Sequence, residues 1–454
     1  MITVLKFGGT SVGSAEAIIR SANIIMNGDG GRVAVVSAMS GVTNHLIQFL
    51  ETDASHTDDT LAPIVKKHMD AANELLSGKL LKGFTTEFNS RMDVLRTLLT
   101  DKNARNDPFF NDDISSQGER LSTLLLAHVI TSMGREAVAL TSEEAGIYAI
   151  GTPGLGTADI EKTSAGLMMN VRPLIQRGII PIITGFYGRN EDGKPLTFGR
   201  GGSDYSAAVV TNGLDADRLE IWTDVDGFMS ADPRIVPEAI MIDEMNFSEA
   251  AELAYFGAKV LHPRTIEPVR MKHIPLMVKN SFKPGSPGTL IHNLRAPKND
   301  MLRSVSMKTD LSIITVSSSE IAYRPRMVAR IIEKIADAGV ILYAISTSLS
   351  TVAFLIHTLD VKETLKHLNL LAPEDMVERI DVKSNMALIS AVGDNLLERC
   401  GVSAEIFGAV NEAEANVEMI SEGASDVSLN FVVPTDKAVA VVRSLHKKFV
   451  GGRG

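Results

Sequence analysis

The chain has 454 residues, a formal net charge of −10, 44% apolar and 5% aromatic residues, and a single cysteine. That length fits about three domain-sized units. The composition excludes a disordered polymer, and the acid excess excludes a general nucleic-acid binder, which needs basic surface to displace counterions. One cysteine rules out an intramolecular disulfide framework, no apolar run is long enough to span a membrane, and the start MITVLKFGGTSVG has no signal-peptide pattern. A cytoplasmic protein is expected.

Over the first three hundred residues, short β-branched runs alternate with longer helical patterns. Strands are expected at 2–7, 32–37, 137–141, 179–185 and 218–223, each apolar through its middle. Continuous apolar strands interleaved with helices predict an α/β fold, a mostly parallel sheet with helices on both faces. The first strand runs straight into KFGGTSVGS and a helical pattern. Glycines there let backbone N–H groups approach an anion and the helix end adds favourable partial charge, so the turn suits a phosphate. Lys6 supplies a full positive charge at its mouth, and the spacing is not that of a Walker A loop.

A second loop at 37–43, SAMSGVT, follows the next strand in the same way. Both loops fall at carboxyl ends of strands, where open α/β sheets bind ligands. Between 46 and 107 the pattern is helical with mixed charge and reads as structural cover for the sheet. SSQGERLS at 115–122 is expected to open a helix, with Glu119 in its first turn as a fixed carboxylate for a substrate ammonium. Taken alone, these three also read as a tight turn, an ordinary βα turn and a helix cap. FGRGGSDY at 198–205 fits no core segment: Arg200 offers a fork for a carboxylate, and Asp204 at a helix start is placed to orient Lys6. WTDVDG at 222–227, DPR at 232–234 and GAK at 257–259 add a polar strand end and two cations, which suit a triphosphate. GTPGLG at 151–156 is an isolated glycine loop. No His/Cys group has zinc spacing, no G-x-S-x-G elbow occurs, and no protein-held metal site is expected.

A Pro/Gly-rich stretch at 283–297 marks a boundary. Beyond it the chain repeats at an offset of 75 residues, superposing Ile314 on Ile389, Ala329 on Ala404, Ile331 on Ile406, Ser350 on Ser425 and Val352 on Val427. Each copy reads strand, helix, strand, strand, helix, so two packed α+β modules are expected rather than a solenoid. Cys400, between a turn and a helical pattern, is expected to be a small buried hydrophobe.

KFGGTSVGS, VVSAMSGVTN, SSQGERLS, FGRGGSDYSA, WTDVDGFMSADPR and FGAKVLHP, in one order, resemble the aspartate kinases of the amino-acid kinase family over nearly the whole chain. The resemblance implies an amino-acid-kinase fold followed by two ferredoxin-like ACT domains: a catalytic domain at 1–293, a first ACT domain at 300–380 and a second at 381–454, the two ACT domains able to interleave. It implies transfer of the ATP γ-phosphoryl group to the side-chain carboxylate of L-aspartate, with Mg2+ held mainly by the nucleotide phosphates. By position, Lys6 and Asp204 are the catalytic pair. Ser37, Thr43, Glu119, Arg200, Gly201, Gly202 and Ser203 hold aspartate, and Lys6, Gly8, Gly9, Thr223, Asp224, Arg234, Lys259 and Val260 hold ATP. A homodimer or higher oligomer through the ACT domains is implied, with an amino-acid effector, lysine or threonine, bound near 420–425 (ISEGAS). The equivalent segment of the first module, SSEIAYRPR at 318–326, lacks the family's glycine-rich effector loop. Another acyl-phosphate amino-acid kinase and a non-catalytic amino-acid sensor are the alternatives. Neither nucleic acid nor membrane is an expected partner.

Overall fold

The computed structural model describes residues 1–50, 57–101, 103–257, 260–294, 302–374, 377–394, 396, 400–422 and 425–451. These form two compact units, Met1–Phe228 with Asp243–Phe247 and Val260–Leu294, and Met229–Ile242 with Ser248–Lys259 and Arg295–Gly454.

In the first unit the chain passes through β1 (Ile2–Phe7), α1 (Ala15–Met26), β2 (Gly31–Val36), α2 (Val42–Leu50), α3 (Thr57–Leu75), α4 (Gly78–Thr100) and α5 (Phe110–Ser132). It continues as β3 (Ala137–Leu140), α6 (Ser142–Ala145), β4 (Ala149–Ile150), β5 (Thr157–Ala158), α7 (Ile160–Asn170), α8 (Arg172–Gln176) and β6 (Ile180–Thr184). A hairpin of β7 (Tyr187–Arg189) and β8 (Pro195–Thr197) leads into α9 (Gly202–Gly213) and β9 (Arg218–Thr223). After β10 (Glu244–Asn246) and α10 (Phe247–Phe256), which enters the second unit after its first residue, come α11 (Ile266–Arg270), β11 (Leu276–Asn280) and β12 (Thr289–His292).

Eight of these strands make one sheet in the order β10-β12-β11-β9-β1-β2-β6-β3, parallel except where β11 meets β12. All six residues of β1 are buried, because helices cover both faces and leave no solvent side to alternate against. The five strands expected from apolar runs are β1, β2, β3, β6 and β9, within one residue at each end. β1 pairs with β2 on one side and β9 on the other, so the strand order reverses there and opens a crevice at Phe7, Val36 and Trp222, residues opposite one another at the strand ends. The expected helical cover is α2, α3 and α4, whose Phe49, Ile64, Phe84 and Phe88 share a core with Leu5, Phe7 and Leu125.

The second unit carries β13 (Ser304–Ser317), α12 (Pro325–Asp337), β14 (Ala344–Thr347), β15 (Thr351–His357), α13 (Val361–Leu368), β16 (Arg379–Val392), α14 (Val402–Glu412), β17 (Met419–Ser421), β18 (Ser428–Pro434) and α15 (Thr435–Phe449). The two repeats fall in register: β13 and β16 begin and end 75 positions apart. Their strands form a single antiparallel sheet, β14-β15-β13-β16-β18-β17.

The two central strands are shared between modules. Ser304 lies opposite Val392 and Ser317 opposite Arg379, so each long strand serves one module with its first half and the other with its second. Val305 joins Ile389, Phe431 and Val441 in one core, whereas Val316 joins Ile331 and Phe354 in another. Residues 229–242, ahead of the repeats in sequence, pack into this unit. Ala231 and Val236 enter the Phe431 core, and the Ser230 hydroxyl lies 2.8 Å from His446 Nε2.

Cys400 is exposed, contrary to expectation. It sits in the turn before α14, whose buried stripe starts at Val402 and continues with Ile406, Ala409 and Val410, so the thiol precedes the face that packs.

Candidate active site

At the carboxyl ends of β1 and β2 lies a cleft of about 360 Å³ lined by Lys6, Gly9, Ser37, Thr43, Glu119, Arg200, Gly201, Gly202, Ser203 and Asp204. All seven expected substrate residues and both expected catalytic residues meet there, drawn from five separate elements. The first glycine turn, a short 3₁₀ segment at Gly9–Val12, presses on the second loop: a Cβ on Gly9 would come within 2.9 Å of Ala38 O, and one on Gly13 within 2.7 Å of Ser40 Oγ. Glycine is required there by close approach of two backbones rather than by an unusual φ. Ser40 N–H donates to Gly9 O at 3.2 Å and Lys67 Nζ of α3 donates to Ser40 O at 2.5 Å, so the cover helices also steady this loop.

SSQGERLS lies inside α5 rather than at its start. The helix begins at Phe110, because Phe110 and Ile114 extend the apolar stripe upstream and Asp112 and Asp113 occupy the first turn. Glu119 is therefore held by a continuous helix, not by a cap. Gly118 lets α5 close on the second loop, where a Cβ would lie 2.7 Å from Ala38 Cβ. Ser122 Oγ donates to Ser37 O at 2.7 Å across the same contact.

Glu119 is 3% exposed, and its Oε2 has no hydrogen-bond partner. Burial pushes its carboxyl up to about 8, opposed by the Ala38 N–H that donates to it and by the charge of Lys6. A buried carboxylate oxygen left without a donor is costly unless a cation completes it.

Lys6, at the end of β1, forms an ion pair with Asp204 in the first turn of α9, both largely buried. Gly201 precedes α9 with φ 72°, a left-handed conformation suited to glycine, and a Cβ there would collide with the His262 ring at 2.3 Å. His262 was not singled out from sequence, although it lies in the quoted FGAKVLHP. Burial holds its imidazole below the usual range, with the Asp204 carboxylate opposing. Arg200 is exposed at the mouth and has no ion-pair partner among the described residues.

The Arg200 loop is braced from behind. Asp112, buried at 3%, accepts from Thr197 N–H at 2.9 Å, Thr197 Oγ1 at 3.0 Å and Gly154 N–H at 3.0 Å. Arg264 donates to Phe198 O at 2.8 Å and to Gly156 O at 2.9 Å. The isolated glycine loop at 151–156 is thus part of the wall behind this site.

The expected ATP residues are more dispersed. Gly8 caps the 3₁₀ turn, and a Cβ on it would lie 3.5 Å from Lys6 Nζ. Thr223 ends β9, its hydroxyl donates to Asp224 at 3.1 Å, and its carbonyl accepts from Ser281 N–H at 2.8 Å. Val260 is half-buried in the first unit. Arg234 belongs to the second unit, where its guanidinium forks onto Asp232 at 2.6 to 3.1 Å. Lys259 lies outside the described residues. Among the described residues no group of three or more His, Cys, Asp or Glu side chains converges to hold a metal, and no helix is long and apolar enough to cross a membrane.

The amino acid kinase family profile matches residues 1–280, and an ACT domain profile matches residues 389–449. Lysine-sensitive aspartokinase 3 of Escherichia coli is 32% identical over 98% of both chains. The bifunctional aspartokinase/homoserine dehydrogenase of Buchnera aphidicola is 30% identical over 98% of this chain, which spans 56% of that longer relative. Among solved structures, E. coli aspartokinase III with aspartate and ADP superposes with a TM-score of 0.84 at 31% identity, covering 99% of each chain. The same enzyme with lysine and aspartate gives a TM-score of 0.83, also at 99% coverage of each, and the Clostridium acetobutylicum aspartate kinase gives 0.80 at 25% identity, covering 98% of this chain and 100% of that one.

Proposed function

The chain belongs to the aspartokinase family of amino-acid kinases, and we propose that it transfers the γ-phosphoryl group of ATP to the side-chain carboxylate of L-aspartate, giving 4-phospho-L-aspartate. The observation that carries this reading is the unpartnered Oε2 of buried Glu119, set in one cleft with the Lys6–Asp204 pair and the free Arg200 fork.

In that cleft the aspartate ammonium completes Glu119, and the planar guanidinium of Arg200 takes the α-carboxylate in two parallel hydrogen bonds. The side-chain carboxylate is left facing Lys6. Already ionised at neutral pH, it attacks phosphorus directly: a carboxylate oxygen–phosphorus bond forms, the bond to the β,γ-bridging oxygen breaks, and ADP departs with the electron pair. No general base is needed, so catalysis rests on positioning and on charge stabilisation. Lys6 supplies the charge, and Asp204 fixes its ammonium. Gly8, Gly9, Thr223, Asp224, Arg234, Lys259 and Val260 are assigned to the nucleotide. Mg2+ would arrive with ATP, ligated by phosphate oxygens and water, since no carboxylate cluster among the described residues competes for it.

On this reading 1–293 supplies the catalytic domain, less the segments that pack into the second unit, and 300–380 and 381–454 are the interleaved ACT pair. The ACT domains regulate the kinase allosterically. We assign effector binding to 420–425, of which 423 and 424 lie outside the described residues, with lysine the first amino acid to test and threonine the second. The exposed Ile345 and Ile420 on edge strands β14 and β17 support self-association through these modules, in a cytoplasmic homo-oligomer.

The experiment is an ADP-release assay with aspartate, glutamate and acetylglutamate, each with and without lysine or threonine. Turnover confined to aspartate supports the assignment. Preference for another acceptor makes the chain a sister acyl-phosphate kinase, and no turnover with any makes it a sensor.

A further inference from the structure

Away from the aspartate cleft, α1, the start of β2, β9 and β11 enclose a second cavity of about 640 Å³. Its lining is polar and unbalanced. Four cations, Arg20, Arg32, Arg218 and Lys279, face it with only two carboxylates, Glu16 and Glu220. Both carboxylates are already engaged. Glu16 lies 3.2 Å from Arg20, and buried Glu220 lies 3.0 Å from Arg218 and accepts from Trp222 Nε1–H at 3.1 Å.

Arg32 and Lys279 are left without an ion-pair partner among the described residues. Arg32 is 8% exposed, its Nε has no hydrogen-bond partner, and its Nη2 donates only a long bond of 3.4 Å to Asn27 O among the described residues. Burial lowers its proton affinity, opposed by the charges of Glu220, which is already engaged with Arg218, and of Asp29, while Arg218 and Arg135 add to the lowering. Lys279 Nζ rests over the Trp222 ring at 5.1 Å, a contact weaker than a carboxylate partner. In a chain whose net charge is −10, a half-enclosed pocket lined by four cations and two carboxylates is a local arrangement and not a consequence of overall basicity.

We propose that this cavity binds a small organic anion carrying two or more negative charges, a phosphate ester or a polycarboxylate, at a site separate from the aspartate cleft. The guanidinium of Arg32 supplies a fork on the cavity wall, Arg20 and Lys279 supply charge nearer the opening, and the Glu220–Arg218 pair holds the floor rigid. An oxyanion completes the donors that the protein leaves unmet, and binding to the folded chain alone raises its apparent stability.

The test is isothermal titration of the full chain, saturated with ADP and aspartate so that the kinase site is filled, against inorganic pyrophosphate and against citrate. The same titrations are run on Arg20→Glu/Lys279→Glu and on Lys279→Gln. The expected result is one site per chain, weakened by roughly tenfold or more in the double variant and by less in Lys279→Gln, with the KM values for ATP and aspartate unchanged in both. Binding of pyrophosphate alone identifies a phosphate ester, binding of citrate alone a polycarboxylate, and binding of both a site that reads charge. No binding of either anion by the unaltered chain overturns the proposal. So does equal affinity in the Lys279→Gln chain, which keeps Arg20, Arg32 and Arg218 in place and remains informative if the double variant misfolds. The outcome does not depend on which acceptor the kinase phosphorylates.

Discussion

Asp310 and Asn385, separated by the repeat length, hold the same left-handed backbone conformation, φ 62° and 61°, at matching points of the paired strands β13 and β16. The register between these strands shifts twice, between Lys308 and Leu311, where Asp310 lies, and between Leu311 and Ile313, across from which Asn385 lies, so the two residues sit at the adjoining irregularities that separate the two halves of each strand. A left-handed residue at that point lets one strand serve two cores, because a bulge re-aims the side chains beyond it. Short polar side chains tolerate the conformation and β-branched ones do not. Asn385→Val is expected to destabilise the chain by roughly 1–2 kcal/mol, and Asn385→Gly to be neutral or mildly stabilising. Equal midpoints for Val and Gly in urea unfolding would show that the kink is not needed.

Lys6 and Asp204 act as a unit. Lys6→Ala is expected to lower kcat by about 10²–10³-fold with a smaller change in the aspartate KM, because its charge is needed most in the transition state. Asp204→Asn should also lower kcat, and the double variant should be little worse than Lys6→Ala alone, since a coupled pair is not additive. Steady-state kinetics of all three decide this. Additive losses would mean that Asp204 acts on something other than Lys6.

Glu119 makes aspartate binding depend on pH. Its carboxyl in the free enzyme is raised from 4.5 to about 8, so it is protonated at neutral pH and must ionise to take the substrate ammonium. Aspartate KM is therefore expected to fall as pH rises from about 6 to about 8, with a proton released on binding. As a stability term the sign is opposite: a raised pKa favours the fold below 4.5, and that contribution is lost as pH rises through about 8. Titration calorimetry in buffers of different ionisation enthalpy counts the proton. Glu119→Gln should abolish its release and Arg200→Lys should not, although both should raise the aspartate KM more than the ATP KM. Proton release that survives Glu119→Gln would place the ionisation elsewhere.

His68 on α3 predicts an acid limb for stability. Its ring is fully buried against Phe88 at 5.5 Å between centroids, Nδ1 is 2.8 Å from Ile64 O, and burial lowers its pKa from 6.5 to about 4. The folded chain therefore favours the neutral ring. The corresponding stability is present above 6.5 and is lost as pH falls through 6.5 toward 4, by roughly 3 kcal/mol in all. Denaturation of His68→Leu over this range should show a shallower decline than the unaltered chain, and parallel declines would remove His68 as its source.

The local parts of the fold were legible in the sequence because their causes are local. β1, the glycine turn after Lys6 and the FGRGGSD turn into α9 each follow from period or glycine placement within a few residues, and the repeat behind the second unit's sheet follows from self-similarity along the chain. What tertiary structure decided was which distant surfaces meet. Glu119 became a buried carboxylate because α5 begins upstream at Phe110 and Gly118 closes on Ala38. His262 entered the site because it packs on Gly201, some sixty residues away. Residues 229–242 joined the second unit because Ala231 and Val236 complete a core whose other members lie beyond 300, and Cys400 stayed in water because that core starts at Val402 on α14. Periodicity shows that a residue has an apolar face, whereas only packing determines which neighbour fills it.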